Sequence, residues 1–115
     1  MSYLENEIFE QPSAITRLLG EERDNIEAIA IRIRDYDPAF VVIAARGTSD
    51  NAARYAKYLM GIQARWPVLL ATPSVHTLYD TAPKMNKALV IGISQSGQSE
   101  DVRQVLADAN AQGAL

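Results

Sequence analysis

The spacing of apolar residues predicts helices in the first third of the chain. Up to Tyr36 the apolar positions recur at intervals of three and four, the spacing of one helix face. The clearest series is Ile26, Ile29, Ala30 and Ile33. We expect a helical stretch over residues 3–19 with a break at Gln11-Pro12, because proline suits the first turn of a new segment. A second helix over 21–36 should end before Pro38, which disfavours helical geometry in the preceding residue.

Beyond Pro38, short apolar runs alternate with helical patterns. The runs typical of buried parallel strands are Ala39–Ala45, Pro67–Ala71 and Ala88–Ile93. The helical patterns that follow begin at Ser49 or Asp50 as N-cap, at Thr72–Ser74 and at about Val102, and the last should stop at Gly113. The order predicts an α/β fold, with N-terminal helices followed by a three-layer α-β-α parallel sheet.

Composition narrows the classes of function. The formal net charge is −3 and the 11 basic residues are dispersed, which argues against a nucleic-acid surface. No apolar stretch approaches the roughly 20 residues of a membrane span, and the acidic N-terminus lacks the features of a signal peptide. We therefore expect a cytoplasmic protein that binds neither nucleic acid nor membrane. The absence of cysteine and of any clustered His, Asp and Glu predicts no metal site, and we expect no cofactor.

Two hydroxyl-rich turns follow predicted strands. One is Gly47-Thr48-Ser49 and the other spans Ser94–Ser99. Turns of this kind can simply cap helices, but at the carboxyl ends of parallel strands they also suit a phosphate group. Neither has the Gly-Lys-Ser/Thr of a Walker loop or the spacing of a dinucleotide fingerprint. We expect Glu100 and Asp101, which follow the second turn, to point away from a bound dianion.

Three motifs resemble the sugar isomerase (SIS) family. They are Glu7-Ile8-Phe9-Glu10-Gln11-Pro12, Arg46-Gly47-Thr48-Ser49 and Ile93-Ser94-Gln95-Ser96-Gly97-Gln98-Ser99. Their order is similar to that in the first isomerase half of the glutamine–fructose-6-phosphate aminotransferase family. The resemblance implies a flavodoxin-like parallel sheet and a role in binding a hexose 6-phosphate, of the fructose 6-phosphate or glucosamine 6-phosphate type.

The same resemblance implies which residues hold the substrate. The phosphate-binding set is Ser49, Ser94, Gln95, Ser96 and Ser99, and the neighbours of the sugar are Gly47, Thr48 and Gly97. Arg46 stands where that aminotransferase family usually has cysteine, and its guanidinium could pair either with phosphate or with a carboxylate. The family's catalytic glutamate, histidine and lysine have no counterpart here, so we assign no catalytic residue. We interpret His76 as a surface or packing residue.

The three strands predict an incomplete sheet, because residues 113–115 resemble the approach to another strand. We expect a helical segment over 1–37 and a partial SIS domain over 38–115, completed by a second SIS domain or a partner subunit, with a homodimer as the expected assembly. The parent protein would be a sugar-phosphate aminotransferase or isomerase, and the fragment alone inactive. A glucosamine-6-phosphate deaminase, a fructosamine-phosphate deglycase, a non-catalytic phosphosugar sensor and a fragment that only packs against a partner remain alternatives.

Overall fold

The computed structural model describes residues 2–115, which form five helices and three strands. In chain order they are α1 (Tyr3–Glu21), α2 (Arg23–Tyr36), β1 (Phe40–Ala45), α3 (Ser49–Gln63), β2 (Val68–Leu70), α4 (Pro73–Thr77), β3 (Ala88–Ile93) and α5 (Glu100–Ala111). The chain divides into a helical unit that ends at Asp35 and an α/β unit from Tyr36 to Leu115. Within residues 2–115 no helix combines the length and the apolar character that a membrane crossing requires.

In the helical unit, α1 runs through Pro12 without interruption. The expected break at Gln11-Pro12 is therefore wrong. Proline lacks the N–H that would bond to the carbonyl of Ile8 four residues earlier, but α1 buries none of its residues and water can hydrate such a carbonyl. The end of α2 agrees with the prediction, since Asp37 leaves the helix with φ of 52° just before Pro38.

In the α/β unit, the three strands form a parallel sheet in the order β2-β1-β3. β1 lies in the centre and pairs along its whole length with β3, from Phe40 opposite Ala88 to Ala45 opposite Ile93. β2 pairs with β1 over only three residues on its other side. β1 and β3 therefore end at the same level, and the residues that follow them emerge side by side.

Side chains alternate between the two faces of this sheet. Val42, Ala44, Ala88 and Val90 form the buried cluster on one face, where Val102, Val105 and Ala109 of α5 pack against them. The opposite face presents Val41 and Ile43, both at most 1% exposed, and α3 covers it. The predicted three-layer α-β-α arrangement is confirmed.

The C-terminal end of α5 leads the chain back to the sheet. Gly113 has φ of 80°, its N–H bonds to Asn110 and the Ala114 N–H bonds to Ala109, which is the Schellman arrangement. Leu115 then lies beside β3: the Val90 N–H donates to its carbonyl at 2.9 Å, and its own N–H donates to Ala88 at 3.2 Å. Residues 113–115 thus approach the sheet as a strand would, as predicted.

A buried histidine joins α4 to α5. His76 is 4% exposed and its Nδ1 lies 2.7 Å from Oδ2 of Asp108. The other carboxylate oxygen of Asp108 accepts a hydrogen bond from Gln104 at 3.0 Å. His76 is therefore a packing residue rather than a surface one, and the polar pair fastens the short helix α4 to α5.

We predict that Gly92→Ala destabilises the α/β unit. A Cβ at Gly92 would lie 2.9 Å from side-chain carbons of both Val102 and Leu106. Leu106 can turn towards solvent, but Val102 is buried and β-branched, so the backbone must move. We expect the free energy of unfolding in urea to fall by about 1 kcal/mol or more.

Gly61→Ala is the matched control, because its Cβ would meet nothing closer than the Trp66 carbonyl at 4.0 Å. Relief of glycine's entropy in α3 should raise the free energy of unfolding, by up to ~1 kcal/mol. Equal effects of the two substitutions would contradict the packing described for Gly92.

We also predict that the contribution of Asp108 to stability depends on pH. The hydrogen bond with His76 lowers the pKa of the Asp108 carboxyl below its usual range, while desolvation by burial opposes this shift and the Gln104 hydrogen bond adds to it. A lowered folded-state pKa stabilises the protein above the unfolded-state value and loses that effect as pH falls through the folded-state value. Asp108→Asn should therefore lower the free energy of unfolding at pH 7 by about 1 kcal/mol, and the difference should shrink below a pH of about 4.

Urea unfolding across this pH range measures the difference, with Asp80→Asn at an exposed position as the control. A difference between wild type and Asp108→Asn that stays constant from neutral pH to strong acid would overturn this explanation of the His76–Asp108 pair.

Candidate functional site

The candidate site lies at the carboxyl ends of β1 and β3, between the two hydroxyl-rich turns. The β1–α3 turn comprises residues 46–49 and the β3–α5 turn comprises residues 94–99. The register that pairs Ala45 with Ile93 brings the turns together, as expected for ligand sites in open parallel sheets. They border an open cavity of about 250 Å³. Its lining residues are Arg46, Gly47, Thr48, Ser49, Ile93, Ser94, Gln95, Ser96 and Ser99.

Seven of the eight residues predicted to contact a phosphosugar line this cavity. The eighth, Gly97, lies within the β3–α5 turn and is not in the lining. Gly47 and Gly97 have φ of 64° and 70°, so each turn uses glycine where a side chain would strain the backbone. Each turn therefore has a glycine in the left-handed region of backbone conformation.

Hydrogen bonds within the β3–α5 turn determine what its serines can offer. The Gly97 N–H donates to Oγ of Ser94 at 3.0 Å, and the Gln98 N–H donates to Oγ of Ser96 at 3.1 Å. A hydroxyl that accepts one hydrogen bond still carries its own proton. Ser94 and Ser96 are thus held in place by the backbone while their O–H groups remain donors for a ligand.

Both helices that leave the turns begin at the cavity. α3 starts at Ser49 with Thr48 as its N-cap, and α5 starts directly after Ser99. The predicted N-cap of Ser49 or Asp50 was thus late by at least one residue. Neither N-cap side chain bonds to its helix, which leaves the hydroxyls of Thr48 and Ser99 free of capping. Helix N-termini also carry partial positive charge, so the cavity favours an anion.

Two ion pairs involve residues in or beside the turns that line the cavity. Nη1 of Arg46 lies 3.5 Å from Oδ2 of Asp101, and Nε of Arg54 lies 3.0 Å from Oδ2 of Asp50. Neither Glu100 nor Asp101 lines the cavity, and the Asp101 carboxylate lies against the guanidinium at the end of β1. Of the two partners considered for Arg46, the structure shows the carboxylate.

The pairing of Arg46 with Asp101 was not predicted from the sequence. Arg46 follows the last residue of β1, and Asp101 lies in the first turn of α5, more than fifty positions later. Only the adjacency of β1 and β3 places these two positions together. The composition of the two turns was enough to predict the hydroxyl groups at this edge of the sheet. It contained no signal that Asp101 would be the partner of Arg46.

Most of the side chains that line the cavity are hydrogen-bond donors. Its lining provides hydroxyls, an amide and one guanidinium, and no carboxylate or imidazole. His76 lies elsewhere, packed between α4 and α5. Among residues 2–115 no three His, Cys, Asp or Glu side chains form a group that could hold a metal ion.

Known proteins resemble this chain over nearly its whole length. Glutamine–fructose-6-phosphate aminotransferase of Aquifex aeolicus is 35% identical over 113 residues, which cover 98% of this chain and 19% of that protein. The enzyme of the same name from Bordetella parapertussis is 36% identical over 119 residues, covering 96% of this chain and 18% of that protein. The chain thus spans about a fifth of the length of these curated relatives.

A solved structure extends the likeness to the fold. A crystal structure from Silicibacter pomeroyi DSS-3 that bears the name phosphosugar isomerase matches with a TM-score of 0.94 and 35% identity, over 100% of this chain and 35% of that one. No protein-family model matches the chain. The resemblance indicated by the three sequence motifs is nevertheless confirmed: in sequence and in fold, the chain is similar to a phosphosugar isomerase of the SIS type and to a segment of the glutamine–fructose-6-phosphate aminotransferases.

Proposed function

We propose that this chain is the phosphosugar-binding part of an SIS-type aminotransferase or isomerase that acts on a hexose 6-phosphate. The observation that carries the proposal is the cavity between the β1–α3 and β3–α5 turns. Its hydroxyl groups and two helix N-termini suit the phosphate of a sugar of the fructose 6-phosphate or glucosamine 6-phosphate type. The similarity to proteins that bear the corresponding names supports the choice of substrate class.

In this proposal the cavity anchors the substrate and does not transform it. Ser49, Ser94, Ser96 and Ser99 donate to the phosphate oxygens, and Gln95 adds an amide donor. Binding energy from a remote phosphate can orient the reacting carbons of a sugar towards groups supplied elsewhere. No catalytic role is assigned to a residue of this chain, because the cavity lining contains no group that could act as general acid or base near pH 7.

Neutral donors suit a phosphate that must bind and leave. A hydrogen bond to a charged group contributes roughly 1.5–3 kcal/mol, so a few such bonds reach the affinity typical of a metabolite without a fully buried ion pair. The backbone bonds that hold Ser94 and Ser96 keep their hydroxyls in position before a ligand arrives. This preorganisation reduces the entropic cost of binding.

The apolar face of α3 supports the further proposal that a second SIS domain or a partner subunit covers this chain. Tyr55, Tyr58, Leu59 and Ile62 follow the spacing of one helix face, and Tyr55, Tyr58 and Ile62 are at least 70% exposed. A contiguous apolar surface of this kind marks an interaction site. A homodimer in the cytoplasm is the form in which we propose the protein acts.

We predict that Ser96→Ala weakens the binding of fructose 6-phosphate by roughly ten- to a hundredfold, the loss expected for one hydrogen bond to a charged acceptor. Isothermal titration calorimetry on the full-length parent protein that contains this chain measures the change. Ser74→Ala, an exposed serine outside the cavity lining, is the matched control and should leave affinity unchanged.

Fructose without its phosphate provides the ligand control and should bind far more weakly than fructose 6-phosphate. Unchanged affinity in Ser96→Ala, or equal affinity for the two sugars, would count against a phosphate site in this cavity.

We predict that the chain self-associates through the α3 face. Sedimentation equilibrium should detect dimers, and Ile62→Lys should shift the equilibrium to monomer because it places a charge in an apolar contact. Lys57→Ala on the same helix, outside the apolar series, serves as control. A wild-type chain that stays monomeric at a concentration of about 100 µM, near which weak specific contacts are already populated, would argue against the homodimer.

A further inference from the structure

Arg46 is the one residue of the cavity lining with a full positive charge, and the other donors of the lining are neutral. It lines the cavity together with the serines of the β3–α5 turn. Its side chain is 56% exposed, so the guanidinium can reach solvent as well as the cavity. A position directly after β1 fixes the backbone of Arg46 while the long side chain keeps freedom to move.

The ion pair that Arg46 makes with Asp101 is weak. A single contact of 3.5 Å joins Nη1 to Oδ2, and the Asp101 side chain is 34% exposed. Guanidinium groups carry five N–H donors and bind planar or tetrahedral oxyanions through two of them at once. Exposed single-contact pairs contribute little to stability. Asp101 is also the only carboxylate in ion-pair contact with Arg46 within residues 2–115.

A phosphate in the cavity would compete with Asp101 for the same guanidinium. A dianion offers more charge and more acceptor oxygens than one carboxylate, and two-donor contacts with Arg are stronger than single ones. The Asp101 carboxylate in turn lies in the first turn of α5, where its negative charge opposes an anion at that helix N-terminus. Phosphate binding and the Arg46–Asp101 contact therefore work against each other.

We propose that Arg46 is a specificity-determining residue of the cavity. Without a ligand, Asp101 holds the guanidinium of Arg46 at the cavity mouth. When a ligand binds, the guanidinium moves from that carboxylate to the phosphate of the ligand. This inference rests on the phosphosugar-binding role proposed above and adds a charged contact to it. It makes the site prefer the doubly charged phosphate monoester to singly charged analogues, since a dianion attracts the guanidinium more strongly than a monoanion does. Asp101 thereby sets how tightly the phosphosugar binds.

The experiment measures affinity for fructose 6-phosphate and for inorganic phosphate on the full-length parent protein that contains this chain. Arg46→Gln should weaken both by about tenfold, as expected for one charge-assisted contact at a half-exposed site. Arg46→Lys, which keeps the charge but loses the two-donor geometry, should weaken both by a smaller factor. Asp101→Asn should strengthen both, by about threefold or more, because the competing carboxylate is gone.

Two matched variants separate this exchange from general electrostatics. Glu100→Gln removes the same charge from the same turn of α5 but touches no ion pair of Arg46, so any gain in affinity should be smaller than in Asp101→Asn. Arg54→Gln removes a paired arginine outside the cavity lining and should change affinity less than Arg46→Gln. The preference for the phosphate over a sulfate monoester of the sugar should become smaller in Arg46→Gln, and an unchanged preference overturns the selectivity assigned to Arg46.

The outcomes distinguish this proposal from the function on which it rests. Unchanged affinity in Arg46→Gln overturns the role of Arg46, and so does an Asp101→Asn variant that binds no more tightly than Glu100→Gln. An Asp101→Asn variant that binds more weakly than wild type shows that Asp101 only positions Arg46, which also overturns the exchange. If wild type binds no fructose 6-phosphate, or Ser96→Ala has no effect, the proposed function itself fails. Urea unfolding of each variant confirms that it is folded.

Discussion

The parallel register of β1 and β3 is the constraint on which the candidate site depends. Because Ala45 lies opposite Ile93, both strands end at the same level and their following turns face one another. A slip of two residues would leave the core faces of both strands intact but move one turn by about 7 Å along the sheet. The hydroxyls would then no longer converge on one cavity. Core packing alone does not determine the site; register does.

The packing below the site holds that register. Val42 and Ala44 of β1 and Val90 of β3 are buried against α5, while α3 covers Val41 and Ile43 on the other face. Helices α3 and α5 therefore each pack against β1 or β3, the strands from which the two turns emerge. The small residue at Gly92 lets α5 approach β3 closely, near the end at which α5 begins. The same contacts that stabilise the sheet bring the N-terminus of α5 to the cavity.

The electrostatics of the site follow from its position at helix N-termini. Hydroxyls fixed by backbone N–H groups, two helix N-termini and a single arginine provide the attraction for an anion, while acidic residues in the first turns of α3 and α5 oppose it. Pairing of Asp50 with Arg54 and of Asp101 with Arg46 reduces that opposition. The pairs are exposed and contribute little to folding.

Local patterns in the sequence were sufficient for the elements, the fold class and the residues of both turns. The spacing of apolar residues and the ending of helices at Pro38 and Gly113 depend on neighbours only a few residues away. They can therefore be detected without tertiary information. Propensity failed at Pro12, where an exposed helix tolerates the lost hydrogen bond, and at the start of α3, where Thr48 becomes the N-cap. The tertiary structure alone decided that Arg46 meets Asp101 and that His76 is buried on Asp108. Such pairs join residues distant in the chain, and only the order and register of the strands determine which distant residues become neighbours.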